Sequence, residues 1–114
     1  MYGFIVEGIK DEERIRGVLT ELYGEFLIGI LKGTRFSKRE ISMTKLMLNS
    51  CEKVFVLSDP DEAGDWIANK LLTKFPELER INVDPDEANC FRWKGWKYGV
   101  EYCSDEYLRK ILVK

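Results

Sequence analysis

Two short acidic segments of this 114-residue chain, residues 7–11 and 59–64, contain the side chains best suited to chemistry. Carboxylate oxygens are the ligands that Mg²⁺ prefers, and the alternation Asp59-x-Asp61 offers two of them within one turn. Glu7 supplies a third in the other segment. A bound Mg²⁺ ion can neutralise the charged transition state of phosphodiester cleavage and activate the attacking nucleophile. These residues therefore suit a magnesium site that acts on phosphate groups, in which Mn²⁺ could substitute. A pair that forms a turn or caps a helix is the alternative role of Asp59 and Asp61.

The residue types that the chain lacks or uses sparingly narrow this chemistry further. There is no histidine, which excludes Ser-His nucleophile pairs, histidine general bases and zinc sites that contain histidine. The three cysteines are odd in number and have no close paired spacing, so they predict neither a disulfide framework nor a zinc site. Any metal chemistry must therefore rest on carboxylates.

The net charge of −2 conceals a segregated charge pattern. Between residues 32 and 45 there are five basic residues and one acid, and between residues 92 and 98 there are three basic residues and no acid. An acidic metal site flanked by two basic segments suits a nucleic-acid partner whose phosphates the cations contact. Solvated surface faces would give the same pattern, so charge alone leaves both interpretations open.

The first basic segment predicts a phosphate-binding loop. Lys32, Gly33, Thr34 and Arg35 end a predicted strand, and the amide-rich beginning of the helix that follows attracts anions. The Thr34 hydroxyl can donate to a phosphate oxygen, while Lys32 and Arg35 add positive charge. A solvated loop is the alternative for each of these residues.

The second basic segment, residues 91–98, interleaves aromatic and cationic side chains. Such a composition suits stacking on bases while Arg92, Lys94 and Lys97 hold the phosphate backbone. Large rings near the end of a small domain can instead close its core, so packing is the alternative role for the two tryptophans.

Apolar segments with strand character alternate with segments of helical period, which predicts an α/β fold. The expected architecture is a single three-layer domain over residues 1–114, with a four-stranded, mainly parallel sheet flanked by helices. Strands are predicted at 2–6, 26–31, 53–58 and 80–83, and helices at about 11–23, from a Ser37/Glu40 capping box toward Asn49, at about 63–75 and after Ser104. The connection 84–103 is long for a compact domain and is a candidate functional loop.

The two acidic segments directly follow the first and third predicted strands. In a parallel sheet the carboxyl ends of the strands lie at the same edge, so both segments can meet there. Gly8 would let the backbone approach a phosphate closely. We therefore expect Glu7, Asp59 and Asp61 to converge at this edge.

No apolar run reaches the roughly 18 residues that a membrane-spanning helix needs. The amino terminus also lacks a basic segment followed by a long apolar one. These features predict a cytoplasmic protein without a membrane partner.

The two acidic segments together resemble the paired motifs of Toprim domains. Residues 7–11 resemble the first motif and residues 59–64 the second, each directly after a predicted strand. Toprim domains occur in topoisomerases, bacterial primases, overcoming-lysogenization nucleases and small ribonucleases. Within the family, residues 58–64, 32–34 and 99–104 most resemble the ribonuclease that matures 5S ribosomal RNA, ribonuclease M-five.

The resemblance implies a role for each acidic residue. Glu7 would be the general acid/base or a metal ligand, and Asp59 and Asp61 would hold Mg²⁺. Asp11 and Glu101 would be secondary acidic contributors. The implied activity is that of a magnesium-dependent nuclease that cleaves structured RNA or another nucleic acid, as in ribosomal RNA processing, with RNA preferred over DNA.

Two departures from the ribonuclease pattern leave an alternative open. Ile9 stands where these ribonucleases usually have a basic residue, so that phosphate contact is lost or passes to Lys10. The further carboxy-terminal region with which such ribonucleases engage ribosomal RNA does not follow the Toprim-like part. The alternative is a non-catalytic nucleic-acid-binding module, or a subunit of a primase-like, topoisomerase-like or nuclease complex that a protein partner completes.

Overall fold

The computed structural model describes residues 1–32 and 36–114 and shows a three-layer α/β architecture. Strands β1 (Tyr2–Val6), β2 (Phe26–Ile30), β3 (Lys53–Leu57) and β4 (Glu79–Arg80) form a parallel sheet in the order β2-β1-β3-β4. The flanking helices are α1 (Ile9–Tyr23), α2 (Lys38–Ser50), α3 (Glu62–Lys74) and α4 (Asp105–Leu112). This arrangement confirms the predicted fold class. None of the helices in the described ranges has the length and apolarity needed to cross a membrane.

The two central strands send alternate side chains into two apolar cores, one on each face of the sheet. Phe4 and Phe55 pack with α1 and α4, whereas Ile5 and Val56 pack with α2 and α3. Burying a side chain of this size stabilises the fold by about 1.5–3 kcal/mol. Because both faces of the central strands are covered, their sequences are continuous apolar runs rather than alternating ones.

The register of the sheet aligns the strand ends at its carboxyl edge. Val6 pairs with Ile30 on one side and with Leu57 on the other. Glu7 directly follows Val6, and Asp59 comes two residues after Leu57. The chain therefore leaves the sheet at neighbouring points in the two acidic loops, as the sequence predicts.

Two helix starts differ in detail from the predictions. α1 begins at Ile9, two residues early, because Gly8 is an extended N-cap residue whose N–H donates to the Asp11 carboxylate at 3.2 Å. At the start of α2, the Ser37 hydroxyl donates to both carboxylate oxygens of Glu40 at 3.0 Å instead of accepting a backbone N–H. The helix boundary is right, but the hydrogen bond of the predicted capping box is different.

The fourth strand is shorter than predicted. β4 contains two residues, which pair with Phe55 and Val56. Ile81 and Val83 lie beyond it and are buried in the core beside α1 and α4. The Ile81 N–H still donates to the Val56 carbonyl at 2.9 Å, but the strand ends there, and the predicted strand 80–83 is therefore wrong in extent.

The connection 84–103 contains structure that was not predicted. An antiparallel hairpin, β5 (Asn89–Arg92) and β6 (Gly95–Tyr98), is followed by a 3-10 turn at Val100–Tyr102. The Gly99 N–H donates to the Ala88 carbonyl at 2.9 Å and closes the base of the hairpin. Ala88, Val100 and Cys103 are buried in the core beside α1. The hairpin therefore extends from an anchored base.

Candidate functional site

Glu7 and Asp59 are neighbours at the carboxyl edge of the sheet. Glu7 is buried, with 9% of its surface exposed, and its Oε2 accepts a hydrogen bond from the backbone N–H of Asp59. Asp59 Oδ1 in turn accepts the backbone N–H of Val100 at 2.9 Å. The loop after β1, the loop after β3 and the 3-10 turn are therefore joined at this pair of acids.

Asp61 is the N-cap residue of α3, and its Oδ1 accepts the Gly64 N–H at 2.7 Å. Gly64 is buried, and a Cβ atom there would overlap the Asp59 carbonyl oxygen and lie 2.9 Å from the carbonyl carbon. Glycine is needed here because the first turn of α3 approaches the Asp59 backbone so closely. Packing of α3 against the Asp59 loop therefore requires glycine at position 64, independently of the predicted metal binding by Asp59 and Asp61.

Asp11 uses both carboxylate oxygens to connect two loops. Its Oδ2 accepts the Gly8 N–H at 3.2 Å, and its Oδ1 accepts the Glu101 N–H at 3.2 Å. These contacts tie the beginning of α1 to the 3-10 turn. Asp11 therefore acts as a positioning residue for the loops that carry the other acids.

The five predicted acids, Glu7, Asp11, Asp59, Asp61 and Glu101, influence one another electrostatically and are called the acid cluster. Burial raises the pKa of Glu7 to about 8, with a contribution from the charges of Asp59, Asp61 and Asp11, against the hydrogen bond from the Asp59 backbone. Burial, followed by the charges of Asp59 and Glu101, raises the pKa of Asp11 to about 7. Burial also raises the pKa of Asp59. A nearby cation would favour the charged form of each group.

The acid cluster has the donor chemistry of a Mg²⁺ site. Glu7, Asp59 and Asp61 each have one carboxylate oxygen that accepts no backbone N–H from the residues that the structure describes. Within residues 1–32 and 36–114, however, no three acidic side chains are grouped closely enough to enclose a metal ion. The predicted three-carboxylate ligand set is therefore not preassembled. Mg²⁺ commonly binds through one or two carboxylates plus water and substrate phosphates, and the donors present fit that mode.

A cleft of about 420 Å³, the acid cleft, opens over this cluster. Glu7, Asp11, Asp59 and Glu101 contribute to its walls, together with Gly8. The Gly8 backbone is extended, and a Cβ atom there would meet nothing closer than 3.9 Å. Packing therefore does not demand glycine at this position, and the absence of a side chain leaves the backbone open to a ligand.

A second cleft of about 520 Å³, the basic cleft, adjoins the acid cleft. Arg92, Lys94 and Lys97 line it from the hairpin, and Lys10 lines it from the first turn of α1. Lys10 and Glu101 also line the acid cleft. The structure thus places the predicted nucleic-acid-binding cations of the hairpin directly beside the acid cluster.

Lys32 lies on another side of the acid cluster. It lines a cleft of about 380 Å³ with Arg39, Glu7 and Gly8. This position agrees with a phosphate contact close to Glu7. The remaining predicted phosphate-binding residues, Gly33, Thr34 and Arg35, lie outside the described residues.

Two features of the site were not predicted from the sequence. The backbone N–H groups of Val100 and Glu101 hold Asp59 and Asp11 from positions 41 and 90 residues away. The Ser58 hydroxyl is buried without a hydrogen-bond partner among the described residues. Backbone donors carry no residue-type signal, because every residue except proline has one.

Comparisons with known proteins agree with this description. The family model of the Toprim domain matches residues 3–89. A UPF0292 protein of Pyrococcus furiosus is 29% identical over 82 residues, which cover 70% of this chain and 54% of that protein. The chain therefore spans about half the length of this curated relative. A small TOPRIM domain protein from Bacillus stearothermophilus has a similar structure, with a TM-score of 0.74 at 22% identity over 97% of this chain and 84% of that one.

The extent of the family match decides the assignment. Residues 3–89 are about three quarters of the chain and include both acidic segments and all of the parallel sheet except Tyr2. The structural neighbour shows the same α/β fold over nearly the full length. The chain therefore belongs to the Toprim family, whose domains typically bind metal ions and process nucleic acids.

Proposed function

We propose that this chain is a magnesium-dependent nuclease that cleaves phosphodiester bonds, with structured RNA as its preferred substrate. The observation that supports this most strongly is the position of the acid cluster between two basic surfaces, the basic cleft on one side and Lys32 with Arg39 on the other. A polyanion that contacts both surfaces passes over Glu7 and Asp59. The resemblance of residues 58–64 and 99–104 to ribonuclease M-five directs the proposal toward ribosomal RNA maturation.

Two oxygens that accept no backbone N–H from the described residues are the proposed ligands of the metal ion: Asp59 Oδ2 and Asp61 Oδ2. Bound Mg²⁺ supplies charge neutralisation at the scissile phosphate and a more acidic water. The chain itself holds these oxygens in place, because the second oxygen of each carboxylate accepts a backbone N–H. Asp11 maintains the spacing of the loops around them.

Glu7 is the proposed proton acceptor. In its charged form, which a neighbouring cation favours, Glu7 keeps Oε2 on the Asp59 N–H and can take a proton from the attacking group at Oε1. Lys10 lies in the walls of both clefts, where its ammonium group can attract a phosphate. With no histidine in the chain, a carboxylate is the expected general base.

A cleavage assay tests this function. Labelled single-stranded and duplex RNA and DNA would be incubated with Mg²⁺ or Mn²⁺ and the native chain, Glu7→Gln, or the exposed control Glu25→Gln. In Glu7→Gln the amide oxygen of the new side chain can still accept the Asp59 N–H, so the loop contact is retained. We expect metal-dependent cleavage, reduced about 100-fold or more in Glu7→Gln and unchanged in Glu25→Gln. Full activity of Glu7→Gln would overturn the assignment of Glu7.

A non-catalytic nucleic-acid-binding module, or a subunit that a protein partner completes, is the second candidate. One observation favours it: the described acids are not preassembled around a metal position. If the native chain binds the same substrates but cleaves none of them with either metal, this candidate replaces the nuclease. Copurification of a second protein would favour the subunit.

A further inference from the structure

The two faces of the β5-β6 hairpin differ chemically. In the antiparallel register Phe91 is opposite Trp96, and Asn89 is opposite Tyr98. Side chains alternate between the faces of a strand, so these four residues share one face. The rings of Phe91 and Trp96 meet there edge to face, with their centroids 5.1 Å apart.

The opposite face carries the cations. Arg92 directly follows Phe91 and Lys97 directly follows Trp96, so their side chains lie on the other face of the hairpin. Both line the basic cleft. The turn that joins the strands adds Trp93 and Lys94, whose ammonium nitrogen lies 5.0 Å from the centroid of the Trp93 indole ring. Aromatic and cationic residues alternate in the sequence, whereas the folded hairpin places most of the rings on one face and the cations on the other. Trp93 is the tryptophan that lies with the cations.

Trp93 has no packing role in the described part of the chain. Its surface is 87% exposed, compared with 59% for Trp96, which packs on Phe91. An exposed indole ring beside several cations is a surface on which a planar base can stack while its phosphate is neutralised. Tyr102 adds a second ring to the cleft walls.

We propose that the basic cleft binds one unpaired nucleotide of a nucleic-acid strand, with the base stacked on Trp93 and the phosphate held by Arg92 and Lys97. A base inside a duplex is covered by its neighbours, and its faces cannot reach the indole ring. Lys10 and Glu101 line both clefts, so the adjoining phosphate lies over the acid cluster. That placement rests on the proposed nuclease function, but binding of the nucleotide does not. The substrate is then unpaired next to the cleaved bond, as in a loop or bulge of structured RNA.

The test is a binding measurement without metal. Fluorescence anisotropy in EDTA would compare a labelled single-stranded oligonucleotide with a blunt duplex of the same sequence. The variants are Trp93→Ala and the matched control Trp96→Ala, which removes an indole ring from the other face of the same hairpin. Circular dichroism and thermal melting would confirm that both variants are folded.

We expect the single strand to bind at least about tenfold more tightly than the duplex, because one base must stack. Trp93→Ala should weaken single-strand binding by about tenfold, and Trp96→Ala should leave it within about twofold. Equal effects of the two variants, or equal affinity for the blunt duplex, would overturn the proposal. A mononucleotide that competes as strongly as the oligonucleotide would also overturn it and indicate a free nucleotide as the ligand. Because metal is absent, a failure to bind is distinct from a failure to cleave.

Discussion

At the scale of single residues, the Glu7 side chain is held by a hydrogen bond in a place where its negative charge is unfavourable. One oxygen is held by the Asp59 N–H, and the charges of Asp59, Asp61 and Asp11 add to the effect of burial. A pKa of about 8 means that the folded chain keeps a proton on Glu7 that the unfolded chain releases near pH 4.5. Stability from the protonated carboxyl is therefore complete below about pH 4.5 and is lost as the pH rises through about 8.

In EDTA, the free energy of unfolding of the native chain should fall between pH 5 and pH 8.5. In Glu7→Gln the decrease should be smaller by roughly 1–3 kcal/mol, because a neutral amide replaces the carboxyl and still accepts the Asp59 N–H. Asp11, whose pKa is raised to about 7, acts in the same direction in both proteins. Urea denaturation at several pH values measures the difference, and Glu25→Gln should behave like the native chain. Parallel pH profiles for native and Glu7→Gln protein would contradict this reasoning.

The position of the acids at one edge of the sheet was predictable from the sequence, but the hydrogen bonds that each of them makes were not. Glu7, Asp59 and Asp61 follow strands whose ends must coincide in a parallel sheet, so their neighbourhood follows from local patterns. Asp11 was predicted as a secondary acid, and the structure shows both of its oxygens bound to backbone N–H groups. One of those groups is 90 residues away, and only the assembled fold brings it close.

At the scale of secondary-structure elements, the close approach of α3 to the Asp59 loop depends on Gly64. A methyl group at this position would overlap the Asp59 backbone, which cannot move without displacing the acid cluster. Gly17 offers the opposite case, because it lies exposed in the middle of α1, where an added Cβ atom would meet no neighbouring atom within 4 Å. Alanine substitutions at these two glycines therefore distinguish the effect of packing on stability from the effect of helix propensity.

Gly64→Ala should lower the free energy of unfolding by about 2 kcal/mol or more, because the added methyl group overpacks a buried contact. Gly17→Ala should raise it by about 0.5–1 kcal/mol, because alanine loses less backbone entropy in a helix. Chemical denaturation of both variants measures these changes. If Gly64→Ala were as stable as the native chain, the α3 packing described here would be wrong.

The helices and strands were predicted correctly where a whole segment has one pattern of burial. Residues 2–6 were predicted to the residue because a strand covered on both faces is a continuous apolar run. The hairpin β5-β6 was not predicted, because both of its faces are largely exposed and its rings and cations follow no inside-outside alternation. The prediction made β4 too long because Ile81 and Val83 are buried in the core beyond the end of the strand, where the Ile81 N–H makes a last hydrogen bond to the Val56 carbonyl.

At the scale of the whole molecule, the net charge of −2 conceals a separation of the charged side chains into an acid cluster and flanking cations. Nucleic-acid affinity should therefore depend on where cations are removed rather than on how many. Salt dependence reports the number of phosphates that the cations neutralise.

Replacement of Arg92, Lys94 and Lys97 together by Gln should weaken binding of a single-stranded oligonucleotide and reduce the slope of log affinity against log salt by about 2. The control replaces Lys70, Lys74 and Lys110, which are exposed on α3 and α4, and changes the net charge equally. Its slope should stay close to that of the native chain. Equal slopes for the two triple variants would show that binding follows net charge and not the basic cleft.

Magnesium binding by the acid cluster is the central claim, and calorimetric titration of Mg²⁺ tests it without reference to activity. The native chain should bind Mg²⁺ saturably at pH 8. Asp59→Asn, whose amide oxygen can still accept the Val100 N–H, should bind at least about tenfold more weakly, because one carboxylate ligand is lost. Glu25→Gln should match the native chain. Absence of saturable binding by the native chain, or equal binding by Asp59→Asn, would contradict the account.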